Sequence, residues 1–158
     1  MKILVVSDTH SHNERLMRVI KREKDVSMLI HLGDLCGLEH TIGTLVDYPV
    51  HFVAGNCDGV LTPKKKIIEV DGKTYFLTHG NEERVGMSLS YMEFATKSHE
   101  AYVGLYGHTH VPKVYYGDGV VLANPGSLSL PRQEGGRPSY IIIDTNKGGE
   151  PEFFIKYL

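Results

Sequence analysis

The fold is decided by residues 2–10, KILVVSDTH, an apolar run of strand length that ends in Asp8 and His10. The run is apolar at consecutive positions, which indicates a strand that is buried on both faces. In α/β sheets, ligands bind outside the carboxyl ends of the strands, so Asp8 and His10 stand where a ligand would be held. Four more apolar runs along the chain end in a similar way.

Strand and helix patterns alternate over the first third of the chain. This alternation predicts βαβ units with parallel strands. Ser11 and Glu14 have the spacing of a capping box at the start of the first helix. The predicted strands are residues 2–7, 27–32 and 50–54, and the predicted helices lie near 13–23 and 39–46.

The pattern changes after residue 60, where turn signals join neighbouring strands. Asp71-Gly72 and Gly117-Asp118-Gly119 are typical of hairpin turns. We therefore expect a largely antiparallel remainder, and a mixed two-sheet α/β sandwich rather than a doubly wound sheet. The predicted strands here are 66–71, 73–78, 102–106, 112–117, 119–123, 139–144 and 152–157, with a helix at 88–99.

Length and composition limit the class of protein. The chain has 158 residues, 41% of them hydrophobic and 23% charged, so we expect one globular domain over residues 1–158 and no intrinsic disorder. A net charge of −2 gives no polybasic field, so we expect no general nucleic-acid binding and no membrane attachment. The N-terminus lacks a signal-peptide core, which predicts a cytoplasmic protein. In that compartment Cys36 and Cys57 are expected to be reduced.

Seven side chains that can bind metal follow the ends of five predicted strands. They are Asp8, His10, Asp34, Asn56, His79, His108 and His110. Glycines beside several of them let the backbone turn sharply and approach a ligand. Each motif alone is a common turn signal, but five in this order predict one metal centre at a sheet edge. His31, inside an apolar run, is expected to pack in the core or at an interface rather than to support that centre.

The motifs Asp8-x-His10, Gly33-Asp34, Gly55-Asn56, His79 and Gly107-His108-x-His110 together resemble the signature of the calcineurin-like metallophosphoesterases. The short chain, Gly-Asn-Cys-Asp at 55–58 and Asn-Pro-Gly-Ser at 124–127 are similar to the small bacterial and archaeal phosphodiesterases of the YfcE type. This resemblance implies a four-layer α/β/β/α sandwich of two mixed sheets. It also implies a homodimer or larger homo-oligomer.

The resemblance further implies two divalent metal ions. One ion would take Asp8, His10, Asp34 and His110, and the other Asp34, Asn56, His79 and His108, with Asp34 as the bridge. Mixed imidazole and carboxylate ligands suit Mn²⁺, Ni²⁺, Fe²⁺, Co²⁺ or Zn²⁺ more than Ca²⁺ or Mg²⁺, and manganese is expected first. Two such ions about 3.5–4 Å apart can hold a hydroxide and clamp the oxygens of a phosphoryl transfer. We therefore expect a metal-bridging hydroxide to attack a small phosphodiester.

Cys57 stands after Asn56, where the larger family usually has a histidine that is thought to assist the leaving group. A thiol can act as an acid but carries no positive charge at neutral pH, so activated or nucleotide-like diesters should be cleaved better than monoesters. Asp58 and His12 lie close enough in sequence to substitute. The candidate catalytic residues are thus Asn56, Cys57 and Asp58. Arg132 is a further candidate for contacting a substrate phosphate.

Two other functions remain open. Some eukaryotic relatives of this fold are subunits of membrane-trafficking coats with part of the metal set degraded, so a non-catalytic metal-binding interaction scaffold is the main alternative. Here every ligand position is filled, which favours catalysis. A binuclear hydrolase of amide or carboxylic ester bonds is the third possibility, and the lack of an HExxH helix disfavours ordinary zinc-protease chemistry.

Overall fold

Ten strands and two α-helices build the protein, and the structure, a computed structural model, describes residues 1–158. In chain order the strands are β1 (Lys2–Val6), β2 (Met28–His31), β3 (Val50–Phe52), β4 (Lys65–Val70), β5 (Lys73–Thr78), β6 (Val103–Leu105), β7 (Lys113–Tyr116), β8 (Val121–Asn124), β9 (Ser139–Asp144) and β10 (Glu152–Tyr157). The α-helices are α1 (Asn13–Arg22) and α2 (Ser90–Ser98). Neither helix is long and apolar enough to cross a bilayer.

The strands form two five-stranded sheets that pack face to face. The first sheet has the order β10-β9-β1-β2-β3, and the second has the order β4-β5-β6-β8-β7. Ile3 and Val5 of β1 share one buried cluster with Leu77 of β5 and Leu105 of β6, so this cluster fills the space between the sheets. Alternate residues of a strand point to opposite faces, which leaves Leu4 and Val6 for the outer side.

Helices cover the outer faces of both sheets. Leu4 on the outer side of the first sheet packs with Leu16 and Val19 of α1. On the far side, Phe76 of the second sheet packs with Met92 of α2. Both faces of each sheet are therefore covered, and this explains why the run at the start of the chain is apolar throughout. The expected α/β/β/α sandwich of two mixed sheets is confirmed.

Strand directions match the prediction in the first sheet and at both hairpins of the second sheet. The pairs β1–β2 and β2–β3 are parallel, as expected. The predicted hairpins form at β4–β5 and β7–β8, the first with left-handed backbone at Asp71 and Gly72. The pairs β9–β10 and β1–β9 are also antiparallel, so the expectation of a largely antiparallel remainder is confirmed, but β5–β6 and β6–β8 are parallel. A hairpin signal predicts pairing only between strands that are neighbours in sequence and joined by a tight turn. The parallel strands here are joined through longer connections, which contain α2 between β5 and β6 and β7 between β6 and β8.

Two local predictions near the site were also wrong. The helix expected at 39–46 is a pair of short 3₁₀ turns, Leu38–His40 and Ile42–Thr44. The Thr44 hydroxyl donates to the carbonyl of Thr41 at 2.8 Å, a local bond that competes with α-helical pairing.

The predicted capping box does not form either. His12 is the N-cap residue of α1 and makes no side-chain cap bond. Ser11 has a φ of 64°, and its hydroxyl donates to the carbonyl of Cys36 in the neighbouring loop. Packing between loops therefore overrides the helix-start signal at this position.

Candidate metal centre

The loops that follow β1, β2, β5 and β6 meet at one edge of the sandwich. Backbone bonds tie them together: the Asp8 amide donates to Gly33 at 3.0 Å, the His10 amide to Asp34 at 2.9 Å, and the Gly107 amide to His79 at 2.9 Å. At Gly107 a side chain would collide with Ser7 and Asp8. The strand-end residues are thus held against one another by main-chain contacts.

The backbone at the site is left-handed at an unusual number of residues. Five of the seven predicted ligand residues have positive φ angles: Asp8 (55°), His10 (44°), Asp34 (54°), His108 (66°) and His110 (60°). Positive φ is uncommon outside glycine, and Asp and His are among the residue types that tolerate it best. Such conformations concentrate at functional sites because the surrounding structure must hold them there.

Asp8, His10, Asp34 and His110 form a compact cluster whose ligand atoms all lie within 4.8 Å of one another. His110 Nε2 is 3.0 Å from Asp8 Oδ1, and His10 Nε2 is 3.5 Å from Asp34 Oδ2. The two histidine Nε2 atoms are 3.5 Å apart. This is the set expected for the first ion, and its imidazole and carboxylate donors suit a divalent transition metal.

The second expected set shares Asp34 with the first. His79 Nε2 is 3.6 Å from Asp34 Oδ2, on the oxygen that also faces His10. The rings of His79 and His108 meet edge to face with centroids 5.2 Å apart. Asn56 is exposed, and the amide of the next residue, Cys57, donates to Asp34 Oδ1 at 3.0 Å, which places Asn56 beside this cluster. The structure thus brings six of the seven side chains together and places the seventh at the edge.

Hydrogen bonds to main-chain carbonyls orient two of the histidines. His79 Nδ1 donates to Leu32 and His110 Nδ1 donates to Leu130, each at 2.7 Å. In the neutral ring this leaves Nε2 as a lone-pair acceptor, the arrangement usual for histidines that bind metal.

Buried acceptors at this centre lack donors. His79 Nε2 and Asp8 Oδ1 are both buried without a hydrogen-bond donor. Neutral His110 would present a second acceptor to Asp8 Oδ1 at 3.0 Å. Two acceptors at that distance need a proton or a cation between them, and an unpaired buried polar atom is costly. These lone-pair atoms are therefore suited to act as ligands of a divalent cation.

Burial and neighbouring charges shift the pKa values of the ligand side chains, for which a metal ion would compete with protons. Burial would raise the pKa of Asp8, but the hydrogen bond to His110 and the charge of His79 outweigh it, so the net pKa is lowered. Burial would lower the pKa of His110, but its bond to Asp8 holds the pKa above its usual value. Burial and the nearby His79 lower the pKa of His108. Without metal, a proton on His110 takes the place that a cation would fill.

The Calcineurin-like phosphoesterase superfamily domain model matches residues 1–148 of the chain. The chain belongs to this family. A protein of Mycoplasma pneumoniae named as a probable metallophosphoesterase is 32% identical over 151 residues, which cover 93% of this chain and 91% of the relative. The family depends on divalent metals, and the names of family and relative indicate hydrolysis of phosphate esters.

Solved structures of similar shape include both enzymes and proteins named for vacuolar sorting. The structure of an archaeal phosphodiesterase is 28% identical, has a TM-score of 0.80 and covers 100% of both chains. Vps29 of Entamoeba histolytica in complex with Zn²⁺ is 18% identical, has a TM-score of 0.80 and covers 99% of both chains. At that identity the second likeness shows the fold alone.

The Asn-Pro-Gly-Ser segment of this calcineurin-like phosphoesterase supports the ligand loops. The Asn124 amide donates to the carbonyl of Gly107 at 2.8 Å and to Thr109 Oγ1 at 3.0 Å. The hydroxyls of Ser127 and Ser129 both donate to the carbonyl of Asp8 at 2.8 Å. These residues hold the first and last ligand loops. The sequence indicated Asn124 and Ser127 only through the family resemblance and carried no separate signal for this supporting role.

His31 braces the same loops from below. Its ring is fully buried, with Nε2 3.1 Å from the Thr9 hydroxyl and Nδ1 accepting the Gly33 amide at 3.3 Å. Burial, helped by the charges of His79 and His10, lowers the pKa of His31 to about 3 against an opposing effect of Asp8. Core packing, favoured from the sequence, is thus only half of its role, because it also holds the residues beside two predicted ligands.

Cys36 and Cys57 form a disulfide, so the expectation of reduced cysteines was wrong. The loops that follow the neighbouring strands β2 and β3 bring the two Cα atoms within 5.3 Å, although 21 positions separate them in sequence. A bridged Cys57 has no thiol proton to donate to a leaving group.

Asp58, the third candidate catalytic residue, accepts backbone amides with both carboxylate oxygens. Its Oδ1 accepts the amide of Cys36 and its Oδ2 the amide of Gly55, each at 2.7 Å. Both oxygens therefore hold loops together. His12 is exposed, and its Nδ1 lies against the carbonyl of His10. Arg132 is also exposed and lies beside the site, because its backbone amide donates a hydrogen bond to the carbonyl of His110.

Proposed function

We propose that the protein is a binuclear phosphodiesterase. The observation that carries the proposal is the position of Asp34 between two sets of ligands. Its Oδ2 lies 3.5 Å from His10 Nε2 and 3.6 Å from His79 Nε2, which is where a bridging carboxylate would stand. The archaeal phosphodiesterase of matching fold supports a diester substrate.

The ligand assignment follows the two clusters. Asp8, His10, Asp34 and His110 would hold one ion, and Asp34, Asn56, His79 and His108 would hold the other. Two divalent ions would supply Lewis-acid polarisation of a phosphoryl oxygen and activation of a water molecule. We expect Mn²⁺ to support the highest activity, with Ni²⁺, Fe²⁺, Co²⁺ or Zn²⁺ as possible substitutes.

The side chains around the ligands fix the geometry of the reaction. His79 and His110 are oriented by carbonyls, so their Nε2 atoms point into the centre without needing to reorganise. The exposed amide of Asn56 can donate to a phosphoryl oxygen at the rim. This matters because the transition state gains charge on these oxygens, and a donor that metal binding at the Asn56 oxygen would hold in place stabilises it.

A shallow cleft of about 250 Å³ extends from Asn56 and can receive one ester group of the substrate. It is lined by Asp58, Val60, Thr62 and Lys64 among others, a mixture of polar and apolar groups. No histidine follows Asn56, and Cys57 is bridged, so leaving-group protonation is weak. We therefore propose that activated or nucleotide-like diesters react better than simple monoesters.

The test measures metal content by mass spectrometry and hydrolysis of matched mono- and diesters on one purified sample. We expect two metal equivalents and a preference for the diester. Asp34→Asn should lower activity more than about 100-fold because it weakens both ligand sets. Asp118→Asn, at a fully exposed aspartate, is the matched control and should retain activity. Full activity of Asp34→Asn would overturn the proposal.

The second candidate function is a non-catalytic scaffold. It is favoured by the exposed apolar side chains of Tyr91 and Phe94 on α2, which are 55% and 72% exposed. The complete ligand set argues against it. If metal-loaded protein hydrolyses no phosphate ester, the scaffold becomes the better hypothesis.

We also propose that the protein is a cytoplasmic homodimer or larger homo-oligomer. Sedimentation can test the oligomeric state.

A further inference from the structure

The Cys36–Cys57 disulfide lies beside the candidate metal centre and is not used by the proposed reaction. Cys36 follows Asp34 by two residues, and Cys57 follows Asn56 directly. The Cys57 amide donates to Asp34 Oδ1 at 3.0 Å. The bridge therefore joins the two loops that carry predicted ligands. In a reducing compartment such a bridge is typically transient rather than structural.

The two loops stay together by contacts that do not need the disulfide. Asp58 accepts the amide of Cys36 with one oxygen and the amide of Gly55 with the other, each at 2.7 Å. Ser11 donates its hydroxyl to the carbonyl of Cys36. After reduction these bonds would keep the two sulfurs close to each other, so the dithiol form is arranged in advance.

The two nitrogens of His10 face different groups. Nε2 points to the acidic cluster, 3.5 Å from Asp34 Oδ2. Nδ1 points the other way, 3.6 Å from Cys36 Sγ. A ring nitrogen of His10 and the sulfurs of Cys36 and Cys57 all lie within 4.8 Å of one another. Thiolate and imidazole donors favour soft cations such as Zn²⁺ or Cu⁺, whereas the acidic cluster offers mainly oxygen and imidazole.

We propose that Cys36 and Cys57 are a reversible thiol–disulfide pair which, in the reduced state, forms a soft-metal site with His10 Nδ1. When His10 Nε2 holds the neighbouring ion at the same time, the ring binds both ions as an imidazolate and its remaining N–H proton leaves to solvent. In the disulfide state the sulfurs carry no thiolate charge and are poor ligands, so only the neighbouring centre binds metal. Reduction creates two thiolate donors and lets a thiophilic cation bind next to that centre. The cysteine pair thus couples the redox state of the protein to the kind of metal it holds.

The redox step needs only a low-molecular-weight disulfide and its thiol. The exposed Cys57 sulfur attacks the small disulfide, forms a mixed disulfide and releases one small thiol. Cys36 then attacks the Cys57 sulfur, forms the protein bridge and releases the second small thiol. Two protein thiols are oxidised, one small disulfide is reduced to two thiols, and the two protons leave with them. Excess small thiol reverses both steps.

The experiment uses the full chain, stripped of metal with a chelator and divided into two samples. One sample is reduced with a phosphine that is then removed without oxygen, and the other is oxidised with a small disulfide. Thiol alkylation and intact mass report the redox state of each sample. Both are titrated with Cd²⁺ while calorimetry measures affinity and ultraviolet absorption measures the thiolate-to-cadmium charge-transfer band.

The reduced protein should show the thiolate band and bind one Cd²⁺ more than the oxidised protein. Its tightest Cd²⁺ site should have an affinity at least about tenfold higher than the tightest site of the oxidised protein. The double variant Cys36→Ser/Cys57→Ser should show no band and no difference between the two treatments. No band in reduced protein with two alkylated thiols would overturn the proposal, as would a bridge that small disulfides cannot restore. This result is independent of phosphodiesterase activity, because inactive protein could still show the band.

Discussion

Lowering the pH should destabilise the fold through His31, the buried histidine beneath the ligand loops. Burial is the main cause that lowers the pKa of this ring to about 3, compared with about 6.5 in an unfolded chain. Between these values the unfolded chain binds a proton that the folded protein does not. The stabilisation from neutral His31 is therefore fully present above about pH 6.5 and is lost as the pH falls toward 3.

The magnitude follows from the proton linkage. One proton contributes about 1.4 kcal/mol for each pH unit between the two pKa values. Going from pH 7 to pH 5 crosses about 1.5 units of this interval, so His31 should remove about 2 kcal/mol from the free energy of unfolding. For a domain of this size that is a large share of an expected total of about 5–15 kcal/mol.

The assay compares urea unfolding of metal-free wild-type protein and His31→Gln at several pH values between 7 and 5. Glutamine does not titrate, and its amide can still meet the Thr9 hydroxyl. We expect the variant to be less stable at pH 7 by about 1–3 kcal/mol, because the paired hydrogen bonds of the ring are not both reproduced. That gap should shrink by about 2 kcal/mol at pH 5.

An exposed histidine provides the control for this experiment. His40→Gln changes an exposed histidine and should keep the pH dependence of the wild type. A stability gap between His31→Gln and wild type that stays constant from pH 7 to pH 5 would refute the reasoning. The ring would then gain its proton equally in the folded and unfolded states, contrary to its burial.

Two further predictions concern the metal centre. Gly55→Ala should lower stability by about 1–3 kcal/mol in urea unfolding and weaken metal binding in calorimetry, because the added methyl would collide with the amide and carboxylate of Asp34. Gly59→Ala, where the nearest atom is 3.7 Å away, is the matched control, and equal losses in both variants would count against the steric explanation. Metal affinity measured by calorimetry should fall steeply below about pH 6.5, since protons compete for histidine ligands, and undiminished affinity at pH 5 would contradict a histidine-rich centre.

Much of the sheet edge was predictable because strand ends determine where their next residues lie. Asp8, Asp34 and His79 each lie two residues after the last residue of an apolar run, so recognising the run places the side chain. The pairing of Cys36 with Cys57 was not predictable in this way. It depends on how closely two loops approach each other, and composition alone favoured free thiols.

The role of His31 was missed for a related reason. Its position in an apolar run indicates burial but does not reveal which loops lie above the strand. Thr9 and Gly33, the residues it contacts, are next to predicted ligands in sequence but carry no signal of their own. Similarly, the hairpin turns were correct, yet they could not report the parallel pairing of β5, β6 and β8, which are not joined by tight turns.

The stability cost of holding this centre together bears on whether the centre binds metal. Left-handed backbone at Asp8, Asp34 and His110 and the unpaired acceptor on His79 all destabilise the metal-free protein. A cation that binds only the folded state offsets that cost, so stability should rise with metal concentration. A protein that bound no metal would gain nothing from keeping this strain. The retained strain therefore favours a centre that is occupied by metal.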